Sequence, residues 1–197
     1  MDWNPTHAKV SILKLSLPRP KQLLRPWASL KAAFDRGPSP RTPLGRALRS
    51  GGLQGAVALL NGGVPHRYTA VHRLVIDEVT SLAIHDRLGQ ETAAMRTPVD
   101  LGHSFCQYAM RDGIFVTDDS AADRRLDGHP FQGQIATYHG VALTDENGQA
   151  FGSLCHFDTR LRFFGVAEFE QMRSAAEEIS AFMQRGRASM AEADAPG

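Results

Sequence analysis

The chain has 197 residues, 42% of them apolar and 22% charged. These are globular proportions, which exclude a wholly disordered chain, and the length fits one domain or one domain with an extension. The net charge of +1 hides an asymmetry: residues 1–50 carry ten Lys or Arg against two Asp or Glu, while the remainder carries twelve against nineteen.

The chain therefore reads as a basic arm joined to an acidic domain. Residues 1–43 are the arm, read as largely disordered; 44–187 are the domain; 188–197 are a disordered tail. The arm's apolar stretch at 10–17 is interrupted by Lys14 and followed by Pro18 and Pro20, so it is not read as a secretory signal. No apolar run reaches the length of about 18 residues that a bilayer span needs. Two cysteines, Cys106 and Cys155, are too few for a disulfide framework and fit a reducing, cytoplasmic setting.

Within the arm, 26–36 has helical spacing, and the Gly-Pro-rich run 37–43 is a linker. Residues 44–61 predict a helix with a broken start, because Gly51 and Gly52 weaken it, and Asn61-Gly62-Gly63 stops it. Residues 67–76 and 79–87 are rich in β-branched residues and predict a hairpin turning at Asp77-Glu78. A short helix at 103–111 ends at Asp112-Gly113, and 114–117 is a short strand. The loop 118–133 has room for one helical turn at 119–126.

Residues 135–144 and 149–158 are the clearest element. Asn147-Gly148 is the strongest short hairpin signal. With those two at the turn, Val141 pairs with Leu154 and His139 with His156 on one face. Tyr138 pairs with Phe157 and Gly140 with Cys155 on the other. A helix follows at 166–185, with Phe169, Met172, Ala176, Ile179 and Met183 as its apolar stripe and Gly186 as its stop. Hairpin-joined strands with separate helices define an α+β class with an antiparallel sheet.

This order and these residues resemble a GAF domain, from about Leu44 to Arg185. LLNGGVPHRYTAVHRL resembles the family's first helix and strand. SFCQYAMRDGIFVTDD resembles its helix, glycine and strand. YHGVALTDENGQAFGSLCHFDTRLRFF resembles its hairpin ending in Gly-x-Leu-Cys-x-x-Asp. The resemblance implies a GAF/PAS-like sheet of five to six strands, terminal helices on one face, and a lid of short helix and loop on the other. It also implies a homodimer through the terminal helices, and a small-molecule pocket under the lid.

The resemblance names no cofactor, so that remains unknown. It places the pocket among Phe105, Tyr108, Tyr138, His139 and His156, with Arg124 or Arg125 as an anion contact. Which face of the 135–158 hairpin lines the pocket stays open. Facing histidines, His139 with His156 and His72 with His85, have the chemistry for a metal or haem, but no His-x-x-x-His or Cys-x-x-Cys spacing supports a site, so none is expected. The cyclic-nucleotide signature of some GAF domains is absent. Cys155-His156 matches a bilin-attachment pair only as a dipeptide, on a strand rather than a helix.

Some GAF proteins reduce free methionine sulfoxide through several cysteines, a pattern this chain lacks. Cys106 and Cys155 are therefore read as buried, inert thiols. No helix-turn-helix or zinc motif marks the basic arm as a nucleic-acid binder. The expectation is a cytoplasmic, bacterial, stand-alone, non-catalytic sensor that binds a small molecule and acts through a signalling partner protein or its own dimer. The alternatives are a redox enzyme of the free methionine sulfoxide reductase type using Cys106 or Cys155, and a ligand-free interaction module.

Overall fold

The computed structural model describes residue 39 and residues 41–193. The expected helix at 26–36, nearly all of the basic arm, and residues 194–197 lie outside the described residues.

Helix α1, Pro43–Gly62, starts as its sequence dictates. Thr42 caps it by accepting the Gly45 N–H, and Pro43 occupies the first turn, where its missing N–H costs nothing. The break expected from the glycine pair falls at Gly52, whose φ of 58° and ψ of −151° kink the helix. Helix α2 is Cys106–Asp112; Gly113 ends it in the left-handed region at φ 81°. Helix α3, Val166–Ala193, runs past its expected stop at Gly186. A glycine inside a helix costs only about 1 kcal/mol. The residues after Gly186, Arg-Ala-Ser-Met-Ala-Glu-Ala, are mostly good helix formers. Residues 188–193, assigned to a disordered tail, thus belong to this helix.

Among the described residues the strands are β1 Tyr68–Val75, β2 Glu78–Asp86, β3 Val99–Asp100, β4 Ile114–Thr117, β5 Thr137–Thr144 and β6 Ala150–Asp158. These six form one antiparallel sheet in the order β3-β2-β1-β6-β5-β4. The β5–β6 register is the expected one, with Val141 opposite Leu154 and His139 opposite His156.

The β1–β2 hairpin turns one residue earlier than expected. Val75 pairs with Glu78, so Ile76 and Asp77 form the turn, and Ile76 sits at φ 57°. A β-branched residue there is strained, so turn propensity did not select it. A bulge then follows: Ser81 pairs with His72, but Ala83 pairs with Val71, leaving Leu82 extra. The bulge reverses the alternation. His72 and His85 consequently lie on opposite faces, not on one.

Alternation sorts the rest. One face packs Val71, Ala83, Val141, Leu143 and Leu154 against Leu48, Ala56 and Val57 of α1 and Met172, Ala176 and Ile179 of α3. Phe169 and Met183 are half-buried at the edge of this core. Glu178 of α3 accepts the Thr42 hydroxyl at 2.8 Å and the Ser39 N–H at 3.0 Å, tying the start of α1 to α3. The other face packs Tyr68, Ala70, Ile84, Phe115, Tyr138 and Cys155 beneath Phe105, Cys106 and Ala109 of the α2 region and Leu126 of the loop. The architecture is α+β, with terminal helices on one face and a helix-and-loop lid on the other.

The two hairpins meet where Arg73 pairs with Gly152. A Cβ on Gly152 would come within 2.2 Å of the His72 carbonyl oxygen, a backbone atom that cannot move aside. Gly152→Ala is therefore expected to destabilise the domain by about 2 kcal/mol or more, within the usual range for overpacking. Chemical denaturation checks this; an unchanged midpoint would show that the β1–β6 seam is looser than described.

Candidate functional site

A cavity of about 370 Å³ lies between the sheet and the lid. Its floor is His72 from β1, Val79, Ser81 and Ile84 from β2, Tyr138 from β5, and Cys155 and Phe157 from β6. Its roof is Met95 and Thr97 from the segment before β3, Ser104, Phe105 and Cys106 at the start of α2, and Phe131 and Ile135 from the loop. Thr97 is exposed and marks an opening. None of the lining residues is Asp, Glu, Lys or Arg. The enclosed surface is apolar, with a few hydroxyl, thiol and imidazole groups, which is how small-molecule sites are commonly built.

Three of those groups converge. One donor atom each from His72, Cys106 and Cys155 lies within 4.8 Å of the others. They come from β1, α2 and β6, so the fold brings them together and the sequence does not. Both thiols are buried and reduced. Cys106 is the one held well below the ordinary thiol value: a hydrogen bond from Cys155 favours its thiolate, burial opposes this, and His72 adds a smaller favourable effect. Burial pushes Cys155 well up.

The Tyr138 hydroxyl donates to Cys106 Sγ at 3.4 Å. It reaches there because its ring lies over Gly140, where a Cβ would sit 2.6 Å from the ring. Ser81 Oγ holds His72 Nδ1 at 3.0 Å.

Of the residues expected at the site, Phe105 and Tyr138 line the cavity. Tyr108 packs beside it, its ring centroid 4.8 Å from that of Phe115. Arg125 is occupied elsewhere: it pairs with Asp123, donates to the Val116 carbonyl and covers the Phe115 ring. Arg124 is exposed on a 3-10 turn at Arg124–Leu126. Neither arginine lines the cavity. His139 and His156 are buried on the opposite face, so Tyr138 and they cannot share one pocket.

That opposite face holds an unexpected polar cluster. The exposed Asp118 carboxylate accepts from His139 Nε2 at 2.8 Å. His139 Nδ1 lies 3.0 Å from His66 Nε2. A carboxylate only accepts, so His139 carries its proton on Nε2 and accepts at Nδ1 from His66. This assignment leaves His66 Nδ1 as a lone pair, and it has no hydrogen-bond partner among the described residues. His156 Nδ1 is bonded to Thr69 Oγ1 at 2.7 Å, and Thr69 accepts in turn from the buried Asn61. Phe164 packs against all three imidazoles, stacking on His139 at 4.4 Å.

Sequence reading missed His66, Met95, Phe131, Ile135 and Phe157. Only the β5–β6 alternation carried a signal, because it placed Phe157 beside Tyr138. In the sequence His72 stands out only for its pairing with His85.

No family model matches the sequence, and no curated protein matches it in sequence. The likeness is structural. The GAF domain of a phosphoenolpyruvate-protein phosphotransferase from Coxiella burnetii is similar with a TM-score of 0.62 and 12% identity, over 85% of this chain and 99% of that one. Free methionine-R-sulfoxide reductase from Neisseria meningitidis, solved with its substrate, is similar with a TM-score of 0.58 and 14% identity, over 83% and 89%. The blue-light absorbing form of the Thermosynechococcus elongatus PixJ GAF domain gives 0.50 and 16%, over 71% and 90%. The α+β sheet with its two helical layers thus has the GAF-domain fold. Among the similar structures that fold occurs both in a methionine-R-sulfoxide reductase and in a domain of a putative two-component sensor histidine kinase from Sinorhizobium meliloti, the latter at a TM-score of 0.54 and 15% identity, over 70% of this chain and 92% of that one.

Burial lowers His66 and His156 from 6.5 to about 3 and lowers His139 as well. These groups stay neutral in the folded chain but take up protons when unfolded. Stability should therefore fall as pH drops from about 6.5 toward 3, by up to about 1.4 kcal/mol per pH unit per histidine. Denaturant midpoints at pH 7, 5 and 4 measure the slope. His156→Gln, which cannot titrate, is expected to flatten it; an unchanged slope would mean His156 is not held neutral.

Proposed function

We propose that this protein is a non-catalytic, small-molecule-binding sensor module of the GAF type. The observation that carries the reading is the cavity of about 370 Å³, which lies at the low end of the range for small-molecule sites. Its lining holds no Lys or Arg, which favours a small, largely apolar ligand over a nucleotide, because no ammonium or guanidinium group lines it to meet a phosphate. Phe105 and Tyr138 are the ligand-contact residues retained from the sequence. Tyr108, Arg124, Arg125, His139 and His156 act outside the cavity on this reading.

The signal leaves through the terminal helices, either to a signalling partner protein or across a homodimer of α1 and α3. No described helix is long and apolar enough to cross a membrane.

A second reading has one specific observation in its favour. Cys106 and Cys155 touch at the cavity wall, and a methionine-R-sulfoxide reductase is among the similar structures. On that reading Cys106, the thiol biased toward thiolate, is the nucleophile, since the thiolate is the reactive form.

The test is a thermal-shift panel of amino acids, nucleotides and tetrapyrroles on the full chain. A ligand present at about 100-fold its Kd adds about 2.7 kcal/mol and raises Tm by several degrees. Thr97→Trp, at the exposed opening, is expected to abolish that shift while leaving the unliganded Tm unchanged. A panel without effect, together with a bare mass by native mass spectrometry, would favour a ligand-free interaction module. Reduction of free methionine-R-sulfoxide that disappears in Cys106→Ser would establish the reductase reading instead.

A further inference from the structure

We propose that His72, Cys106 and Cys155 form a three-residue site for one thiophilic metal ion, best matched by Zn²⁺, with its fourth position open to the cavity. The spacing of these residues in the chain gave no reason to expect it. The fold supplies it from three separate elements, β1, α2 and β6. Their donor atoms lie within 4.8 Å of one another. Tetrahedral zinc, with bonds of about 2.3 Å to sulfur and 2.0–2.1 Å to nitrogen, holds its ligands roughly 3.5–3.8 Å apart. Small side-chain rotations close that gap.

The donor chemistry suits such an ion. Two thiolates and one imidazole are a soft set that selects zinc or copper(I) over magnesium or calcium. Charge also balances: two thiolates cancel a dication, so an apolar cavity gains no net charge. Whatever protons the two thiols still hold leave on binding.

The surrounding groups orient the donors. Ser81 engages His72 Nδ1 at 3.0 Å, which leaves Nε2 to coordinate. Tyr138 donates to Cys106 Sγ at 3.4 Å, a bond that persists to a metal thiolate. Ser104 Oγ accepts the Cys106 N–H at 3.2 Å and fixes that residue at the start of α2. Outer contacts of this kind commonly orient metal ligands.

Three protein ligands and an open position distinguish a reactive or ligand-binding zinc from a structural one. The open position faces the cavity, so the site takes a small molecule bearing a nitrogen, oxygen or sulfur donor. Only this last step rests on the cavity being a ligand site; the three-donor site has its own test.

The experiment is a Co²⁺ titration of the full chain in its reduced form, with two free thiols confirmed by thiol assay after denaturation. The expected result is one Co²⁺ per chain, a thiolate-to-cobalt charge-transfer band with intense tetrahedral d–d bands, and proton release on binding. Zn²⁺ should displace the cobalt and abolish the bands. His72 is only half-buried, so His72→Ala should fold and should bind at least tenfold more weakly, with a shifted band. Cys106→Ser and Cys155→Ser, checked for folding by circular dichroism, should each lose at least half of the charge-transfer band, and the double variant all of it.

Imidazole added as a probe should perturb the d–d bands of the wild type but not those of Thr97→Trp. Absence of the band in fully reduced wild-type protein overturns the metal site, and leaves untouched any thermal shift given by the metal-free panel. A normal cobalt site that ignores imidazole overturns only the open fourth position.

Discussion

The pairing of β1 with β6 is the constraint on which the rest of this domain depends. Each hairpin could form locally, since each joins neighbouring segments. Only the seam from Tyr68–Phe157 to Arg73–Gly152 turns two hairpins into one sheet. It is a long-range pairing, and its loop-closure cost is recovered only when both faces are covered. The seam is tight: Gly152 is needed because the His72 carbonyl occupies the place of a side chain. The same register sets Ala70 opposite Cys155 and His72 opposite Ser153, which brings His72 diagonally onto Cys155. The cavity floor is thus a product of the seam.

The two faces of that seam solve different problems. On the lid face, mostly apolar groups surround space. On the helix face, three imidazoles are packed without a cation among them. They are kept neutral by burial and reach the surface through Asp118 at one end and, by way of Thr69 and Asn61, through the exposed Arg87 at the other. Asn61 fastens the end of α1 to β1 by donating to the carbonyls of His66 and Arg67 and to Thr69. Asp158 does the same at the end of β6. Its carboxylate accepts the backbone N–H groups of Arg67 and Arg160 and pairs with Arg162 at 2.6 Å. Burying a carboxylate is costly unless its oxygens are satisfied, and here they are.

Legibility in the sequence followed the range of the interaction that decided each feature. The β5–β6 register was readable because Asn147-Gly148 and the flanking alternation are local, and both point the same way. Helix α1 and its break at Gly52 were readable for the same reason. The β1–β2 turn was not. Ile76 adopts φ 57° against its own preference, because the strands on either side are fixed by β6 and by the bulge at Leu82. Strand β3 has two residues and no period to detect. The site was least readable. Its lid residues, such as Met95 and Phe131, are ordinary apolar residues in loops. The contact between Cys106 and Cys155 requires the lid to close on a sheet whose strand order no local pattern reveals.

On the sensor reading, a bound molecule must influence the helices through the sheet, and β6 is the strand placed to do it. Cys155 and Phe157 face the cavity, while Leu154 and His156 point into the helix side. Leu154 is fully buried in the core that α1 and α3 share, and His156 touches Phe164 just before α3. Close-packed cores have few voids to absorb a displaced strand, so movement at one face is felt at the other. The effect is bounded by the ligand's differential affinity for two arrangements, since equal affinity shifts nothing. Helix α3 is the natural outlet. It packs on β5 through Ser180 and Gln184, then continues to Ala193, past its last described contact with the sheet. On that reading, and only on it, a small change at Cys155 becomes a change in the angle of a long helix.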